Sequence, residues 1–254
     1  MKKASTVFCV ECGDFEEYTE NSSRESVTVR GITFDYVEKT ACCARCGQRV
    51  YVPEINDENV EAQENAYRKA AGLISISEIR ELLEKYDTGA APLALQKLLY
   101  FSQAFYEAIF GTVLFSDKCQ AWTYGPVYPE IYSLYKPYNS APIEKPLNIN
   151  RTGYLTADEV NLLDSIVDTF GSYSGMVLSR ITHSERPWLE ARGNLHPEDK
   201  STTVIDPETI RAYFREVVRT YGIEKTCDIS KYCDAMCRQI KNNKYAKIHS
   251  SPRS

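Results

Sequence analysis

Two five-residue runs, CVECG at residues 9–13 and CARCG at 43–47, constrain this chain more than anything else in it. A Cys-x-x-Cys turn sets two thiolates on one side of a metal tetrahedron, and a second such turn completes it. The glycine after each pair permits a positive-φ turn that aims backbone N–H groups at the sulfurs. Between the two knuckles, Val27 and Val29 and then Ile32, Phe34 and Tyr36 alternate with polar residues about Gly31, which is the pattern of a β-hairpin. A segment of about fifty residues has little core of its own, and a metal staple is the usual remedy. The spacing predicts one structural zinc held by Cys9, Cys12, Cys43 and Cys46, with no position left open for water. Cys42 is a spare thiol whose gap to Cys46 fits a knuckle less well.

The nine cysteines are an odd number, and the opening MKKASTVFCV lacks the apolar core and cleavage site of a secretory signal. Both features favour thiols and metal over disulfides, and a cytoplasmic protein. No apolar run approaches the ~20 residues of a membrane helix, so no membrane association is expected. The net charge of −5 gives no whole-chain attraction to nucleic acid.

After Pro53 the periodicity turns helical. EINDENVEAQENAYRKAAG leads to a stop at Gly72, and SISEIRELLEKYD follows with Ser75 and Glu78 at capping-box spacing. TGAAP breaks the chain before LALQKLLYFSQAFYEAIFG, which is apolar round most of its circumference and reads as a buried central helix. Thr156 and Glu159 form a second capping box, ahead of Val160, Leu163, Ile166, Val167 and Phe170 at helical spacing. Asp206 and Pro207 open a further helix over DPETIRAYFREVVRTYG. The fold class expected is mainly α: a small zinc-bound β-rich finger (α+β) followed by an all-helical domain.

Catalytic signatures are sparse. The chain has no phosphate-cradling glycine loop, no His-Glu-x-x-His and no Gly-x-Ser-x-Gly. An enzyme would have to use His183, in THSERPW, as a base oriented by Glu185. The plainer account is a helix start at which Ser184 caps and Trp188 packs, and no catalytic turnover is expected. Cys227, Cys233 and Cys237 make a thin case for a second metal site, since no histidine lies near them. The cations Lys231, Arg238, Lys241, Lys244 and Lys247 suit a solvated helix face, or contact with nucleic acid or an acidic partner. The tyrosines from Tyr124 to Tyr138 suit a core or a protein-binding surface equally.

Both ends of the chain carry a family resemblance. CVECG through CARCGQRVYVPEINDENV resembles the N-terminal zinc finger of MqsA/YgiT-type antitoxins. Three later motifs, Leu95–Tyr100, Trp122–Val127 and Thr182–Trp188, fall in the order found in Panacea (SocA-like) antitoxin domains. The resemblance implies a component of a bacterial or phage toxin–antitoxin system that binds and neutralises a cognate toxin protein. It divides the chain into a zinc finger (1–53), a helical linker with the remnant of a helix-turn-helix (54–91), a Panacea domain (92–222) and a basic C-terminal helix and tail (223–254). Relatives with both parts usually carry a DNA-binding helix-turn-helix between them, whereas here only TGAAPLA separates its opening from the Panacea helix. That shortening argues against specific promoter binding. The toxin-facing residues expected are Trp122, Tyr124, Tyr128, His183 and Trp188. The competing functions are a zinc-finger transcriptional regulator and an enzyme centred on His183.

Overall fold

The computed structural model describes residues 6–75, 78–79, 82–83, 90–143 and 155–249, with side chains as far as residue 242. Ser75 and Glu78, expected at capping-box spacing, are both buried, while most of the helix expected over 75–87 and the side chains of the cations beyond Lys241 lie outside the described residues or side chains. The chain forms two compact units, divided between Ser77 and Glu78.

The first unit is a four-stranded antiparallel sheet in the order β1 (Thr6–Cys9), β2 (Asp14–Val29), β3 (Ile32–Cys43) and β4 (Arg49–Val50). Arg30 and Gly31, both with positive φ (50° and 81°), make the two-residue turn between β2 and β3. A turn of that hand matches the twist of the flanking strands. Pairing then runs without interruption from Val29↔Ile32 to Tyr18↔Cys43. The ribbon is much longer than the hydrophobic alternation indicates, because it continues through the polar run TENSSRES.

Helix α1 (Pro53–Ala70), which the sequence reading placed in the linker, packs on this ribbon. Phe34, Ala66 and Tyr67 form one small core with Val27, Val29, Ile32 and Tyr36, and Ala41, Val52 and Ile55 form another with Val7, Tyr18 and Val50. Asn59 ties the helix to the edge of β3. Its Oδ1 accepts from the Lys39 backbone N–H and its Nδ2 donates to the Lys39 carbonyl, both at 2.7 Å.

The second unit surrounds α2 (Pro92–Phe110), whose apolar circumference is buried as expected: Leu95, Leu98, Leu99, Tyr100, Phe101 and Phe105 are all inaccessible. Gly111, in the left-handed conformation, ends it. A hairpin follows, β5 (Gln120–Trp122) and β6 (Gly125–Val127), so this unit is not all-helical. The far edge of β5 is closed by the segment around Val204, through Ala121 N–H to the Thr203 carbonyl and Ile205 N–H to the Cys119 carbonyl. Pro126 is accommodated because proline is tolerated where a strand does not need its donor.

Helices α3 (Pro129–Tyr135), α4 (Ala157–Phe170), α5 (Gly175–Thr182), α6 (Arg186–Arg192), α7 (Pro207–Tyr221) and α8 (Ile229–His249) complete the unit, with α4, α5 and α7 packed on α2. The Thr156–Glu159 capping box forms at the start of α4, and Asp206 caps α7 ahead of Pro207. The start of α8 belongs to this core and not to a tail, since Tyr232, Cys233 and Met236 are buried.

Phe101 lies flat on Phe170 at 4.2 Å and also meets Tyr100, Phe105 and Phe214. Phe101→Ala removes a ring from the middle of this cluster and is expected to cost about 3–5 kcal/mol. Asp206→Ala, which loses only an exposed cap, should cost about 1 kcal/mol. Urea unfolding followed by far-UV circular dichroism measures both.

Candidate functional site

The four knuckle cysteines converge. Their sulfurs all lie within 4.8 Å of one another, with Cys9 and Cys46 3.5 Å apart and Cys12 and Cys43 3.9 Å apart. Thiolates ~2.3 Å from a central zinc in a tetrahedron stand about 3.8 Å from each other, so the set fits such a cation. The local fold explains the convergence. Cys9 ends β1 and Cys43 ends β3, and each knuckle closes on a bond from its glycine N–H to the first cysteine carbonyl, Gly13 to Cys9 and Gly47 to Cys43, both 2.9 Å. Gly13 and Gly47 have φ of 69° and 75°, as that turn requires.

Backbone N–H groups of Cys46 and Arg45 hold the Cys43 thiol down at about 7, against the effect of burial. The Cys12 thiol is pushed up to about 12 by burial and by the other three sulfurs. Four thiolates this close repel one another unless a cation sits among them. Cys42 is excluded by strand alternation: it lies on the opposite face from Cys43 and accepts from Asn21 Nδ2 at 3.7 Å. Cys227, Cys233 and Cys237 do not gather into a second cluster among the described residues. Cys233 is buried and points at the Thr169 carbonyl, while Cys227 is exposed.

In the helical unit, the residues expected to face a partner separate into surface and core. Tyr124, at the tip of the β5–β6 hairpin, is 59% exposed. Trp122 is half-buried, with its indole N–H on Gln120 Oε1 and its ring edge-on to Tyr132. Tyr128 is 2% exposed and packs edge-on against Phe115, so it is a core residue, and Trp188 is buried as well. His183 is half-buried, stacked on the Trp188 ring at 4.0 Å, with Arg192 over the same ring. Burial, with Lys97 and Arg192 nearby, lowers the imidazole to about 4, so it is neutral at ordinary pH. The pairing an enzyme would need is not assembled, because Glu185 points into the core and accepts from the Tyr232 hydroxyl.

The sequence reading missed the polar centre beneath this hairpin. Within the apolar helix α2, Gln96 and Lys97 are buried. Gln96 Oε1 accepts from the Tyr128 N–H, and Lys97 Nζ donates to the Pro126 carbonyl, both at 2.7 Å. Gly125 lies against the same lysine. A Cβ there would meet Thr182 Oγ1 at 2.7 Å and Lys97 Cε at 2.8 Å, and its φ of 102° is open only to glycine. Ser179 Oγ donates to the Tyr124 carbonyl at 2.8 Å, and the Trp188 indole N–H to the Trp122 carbonyl at 3.0 Å. A cation within LALQKLLYF was the one available signal, since lysine is almost never buried without a partner.

The three separated motifs, Leu95–Tyr100, Trp122–Val127 and Thr182–Trp188, thus meet at one place, with the hairpin backbone gripped from both sides. Residues 95–189 match the family model of the antitoxin SocA-like, Panacea domain. That match supports an antitoxin role in general. It begins at Leu95 and leaves the cysteine knuckles outside it. No curated protein and no solved structure matches the chain. No helix among the described residues is long and apolar enough to cross a membrane.

Two measurements test the site. Elemental analysis of the purified chain is expected to give one metal ion per molecule; Cys9→Ser and Cys46→Ser should lose it and Cys42→Ser should keep it. The second concerns Glu185, whose carboxyl is raised by burial from 4.5 to about 7, against the lowering effect of Tyr232, Tyr100 and Lys97. A raised folded-state value means the stabilisation is complete below about pH 4.5 and is lost as pH climbs through about 7. Glu185→Gln keeps an acceptor for Tyr232 and cannot ionise, so its stability relative to the parent should rise across that window. Lys97, lowered to about 7 by burial, acts on the alkaline side, where stability is regained as pH rises towards 10.5. Parallel stability curves for parent and Glu185→Gln between pH 4.5 and 7 would contradict this assignment.

Proposed function

We propose that this protein is the antitoxin of a toxin–antitoxin system, which binds a cognate toxin protein and neutralises it stoichiometrically. In this reading zinc occupies the Cys9, Cys12, Cys43 and Cys46 site and is structural. Four protein thiolates fill its coordination shell, so it holds the knuckles together and activates no water. The helical unit carries neutralisation, and the protein acts in the cytoplasm.

The observation that carries the reading is the hairpin at the junction of the three motifs. A buried lysine, a buried glutamine and a glycine admitting no side chain fix its backbone, while Tyr124 projects from its tip into solvent. Aromatic side chains on a rigid support supply binding energy at low entropic cost, and tyrosine and tryptophan are the commonest hot-spot residues. Trp122 and His183, both half-buried, lie beside that tip. Tyr128 and Trp188 serve the surface indirectly, as the packing beneath it.

The test of function is genetic and biochemical together. The product of the neighbouring gene should arrest growth when expressed alone and fail to do so when this protein is present. Tyr124→Ala is expected to keep its melting temperature and lose about thirtyfold in toxin affinity, the ~2 kcal/mol of a hot spot. Tyr128→Ala should instead lower the melting temperature. Full rescue by a folded Tyr124→Ala protein would remove this residue from the interface.

A further inference from the structure

The β2–β3 ribbon treats its two edges differently. On the β3 side, β4 pairs with Ala41 and Cys42, and Asn59 takes both backbone groups of Lys39. On the β2 side, β1 pairs with Asp14 to Glu17. From Tyr18 onward no further strand lies outside β2 among the described residues. The six residues from Thr19 to Arg24 are exposed on both faces of the ribbon. This stretch holds no proline, no bulge interrupts its register and no helix covers it among the described residues, so its charged Glu20 and Arg24 are the protection that it carries.

Which backbone groups this edge offers follows from the ladder. In an antiparallel pair, the N–H and C=O of two opposed residues point both towards each other or both away. Lys39 turns its groups outward to Asn59, so its opposite number Ser22 also turns outward. Glu17 has the other parity and points inward, its carbonyl accepting from Ala44 N–H at 2.8 Å. Alternation therefore presents the donors and acceptors of Tyr18, Glu20, Ser22, Arg24 and Ser26 along the open edge.

We propose that this edge pairs with the same edge of a second copy of the chain, antiparallel and centred on Ser22. A twofold axis there sets Glu20 opposite Arg24 of the second copy, and Arg24 opposite its Glu20. Arg24 also holds Asp35 of its own ribbon at 3.0 Å, with its side chain still 77% exposed and able to reach a second carboxylate. It also sets Glu25 opposite threonine, and brings no two like charges face to face. Among the described residues the open edge starts at Tyr18, next to Glu17, which pairs with Thr6 of β1, and the symmetric match to Tyr18 is Ser26, so the paired stretch fits between them. Moving the centre to Asn21 sets Glu25 against Glu17, which β1 already occupies. Moving it to Ser23 sets Glu20 against serine and loses the ion pair. Charge complementarity thus selects one register, and it is the register of a self-complementary twofold interface. This inference is independent of the antitoxin reading. Contact along one strand buries less than the ~1,200 Å² of a standard interface, so the association is weak and concentration-dependent.

Sedimentation velocity on the full-length protein, purified with zinc present, tests this over a concentration series. The parent chain should pass from monomer to dimer as concentration rises. Glu20→Arg sets arginine against arginine at both ends of the ladder, and Arg24→Glu sets glutamate against glutamate. Each variant should shift the dimer dissociation constant tenfold or more towards monomer, with unchanged metal content and circular dichroism. An equimolar mixture of the two variants sets arginine against glutamate at both ends and should dimerise like the parent. A parent chain that stays monomeric throughout would overturn the proposal. So would single variants that dimerise like the parent, or a mixture that fails to restore the dimer.

Discussion

The helical unit depends on one buried bond, from Lys97 Nζ to the Pro126 carbonyl. Burying an amine is costly unless it is hydrogen-bonded, and truncating one partner of such a bond leaves the other unsatisfied in the interior. Lys97 therefore does more than fill space: it obliges the hairpin to approach α2 at one height and in one orientation. Gly125 permits that approach, Gln96 fixes the next backbone group along, and Ser179 and Trp188 hold the hairpin from the opposite side. A surface side chain two residues from Pro126 inherits this rigidity without any contact of its own to the lysine.

The same centre explains why His183 and Glu185, close neighbours in sequence, live in different chemical environments. Thr182 ends α5 and Glu185 precedes α6, so the intervening turn points the two side chains apart. Glu185 goes to the tyrosines of the core, where Tyr232 donates to it and Tyr100 and Tyr213 crowd round. His183 goes to the surface side and lies flat on Trp188, beneath the positive fields of Lys97 and Arg192. Two sequence neighbours thereby occupy different settings, Glu185 as a buried acceptor and His183 as a neutral ring stacked on Trp188.

Much of this was legible in the sequence where local chemistry decides the outcome. The knuckles, the turn at Gly31, the Thr156–Glu159 box and the Asp206–Pro207 helix start each rest on residues close together in the chain, and the structure forms all of them. What was not legible depends on distant partners. TENSSRES has no alternation because both faces of the ribbon meet water there, so hydrophobic periodicity is silent about a strand that pairing alone defines. Tyr124 and Tyr128 flank the same Gly-Pro pair and look equivalent in one dimension. One is exposed and the other is drawn inward by a backbone bond to Gln96, thirty-two residues upstream. Lys97 reads as a flaw in an apolar helix until the hairpin is laid against it.

The two-residue turn and the cysteine pair at the far end of the ribbon impose a rule on how this protein can vary. Cys43 reaches the other sulfurs only because it faces them, while Cys42, one step away, faces the opposite side. Inserting or deleting one residue in β3 exchanges these faces and presents the wrong thiol. Deleting one from β2 alone breaks the match that keeps Lys39 against Asn59. Lineages descended from this sequence can lengthen or shorten the ribbon only in even, balanced steps on both strands. The distance between its two cysteine motifs is thus expected to drift in quantised jumps, in contrast to an ordinary surface loop of the same length.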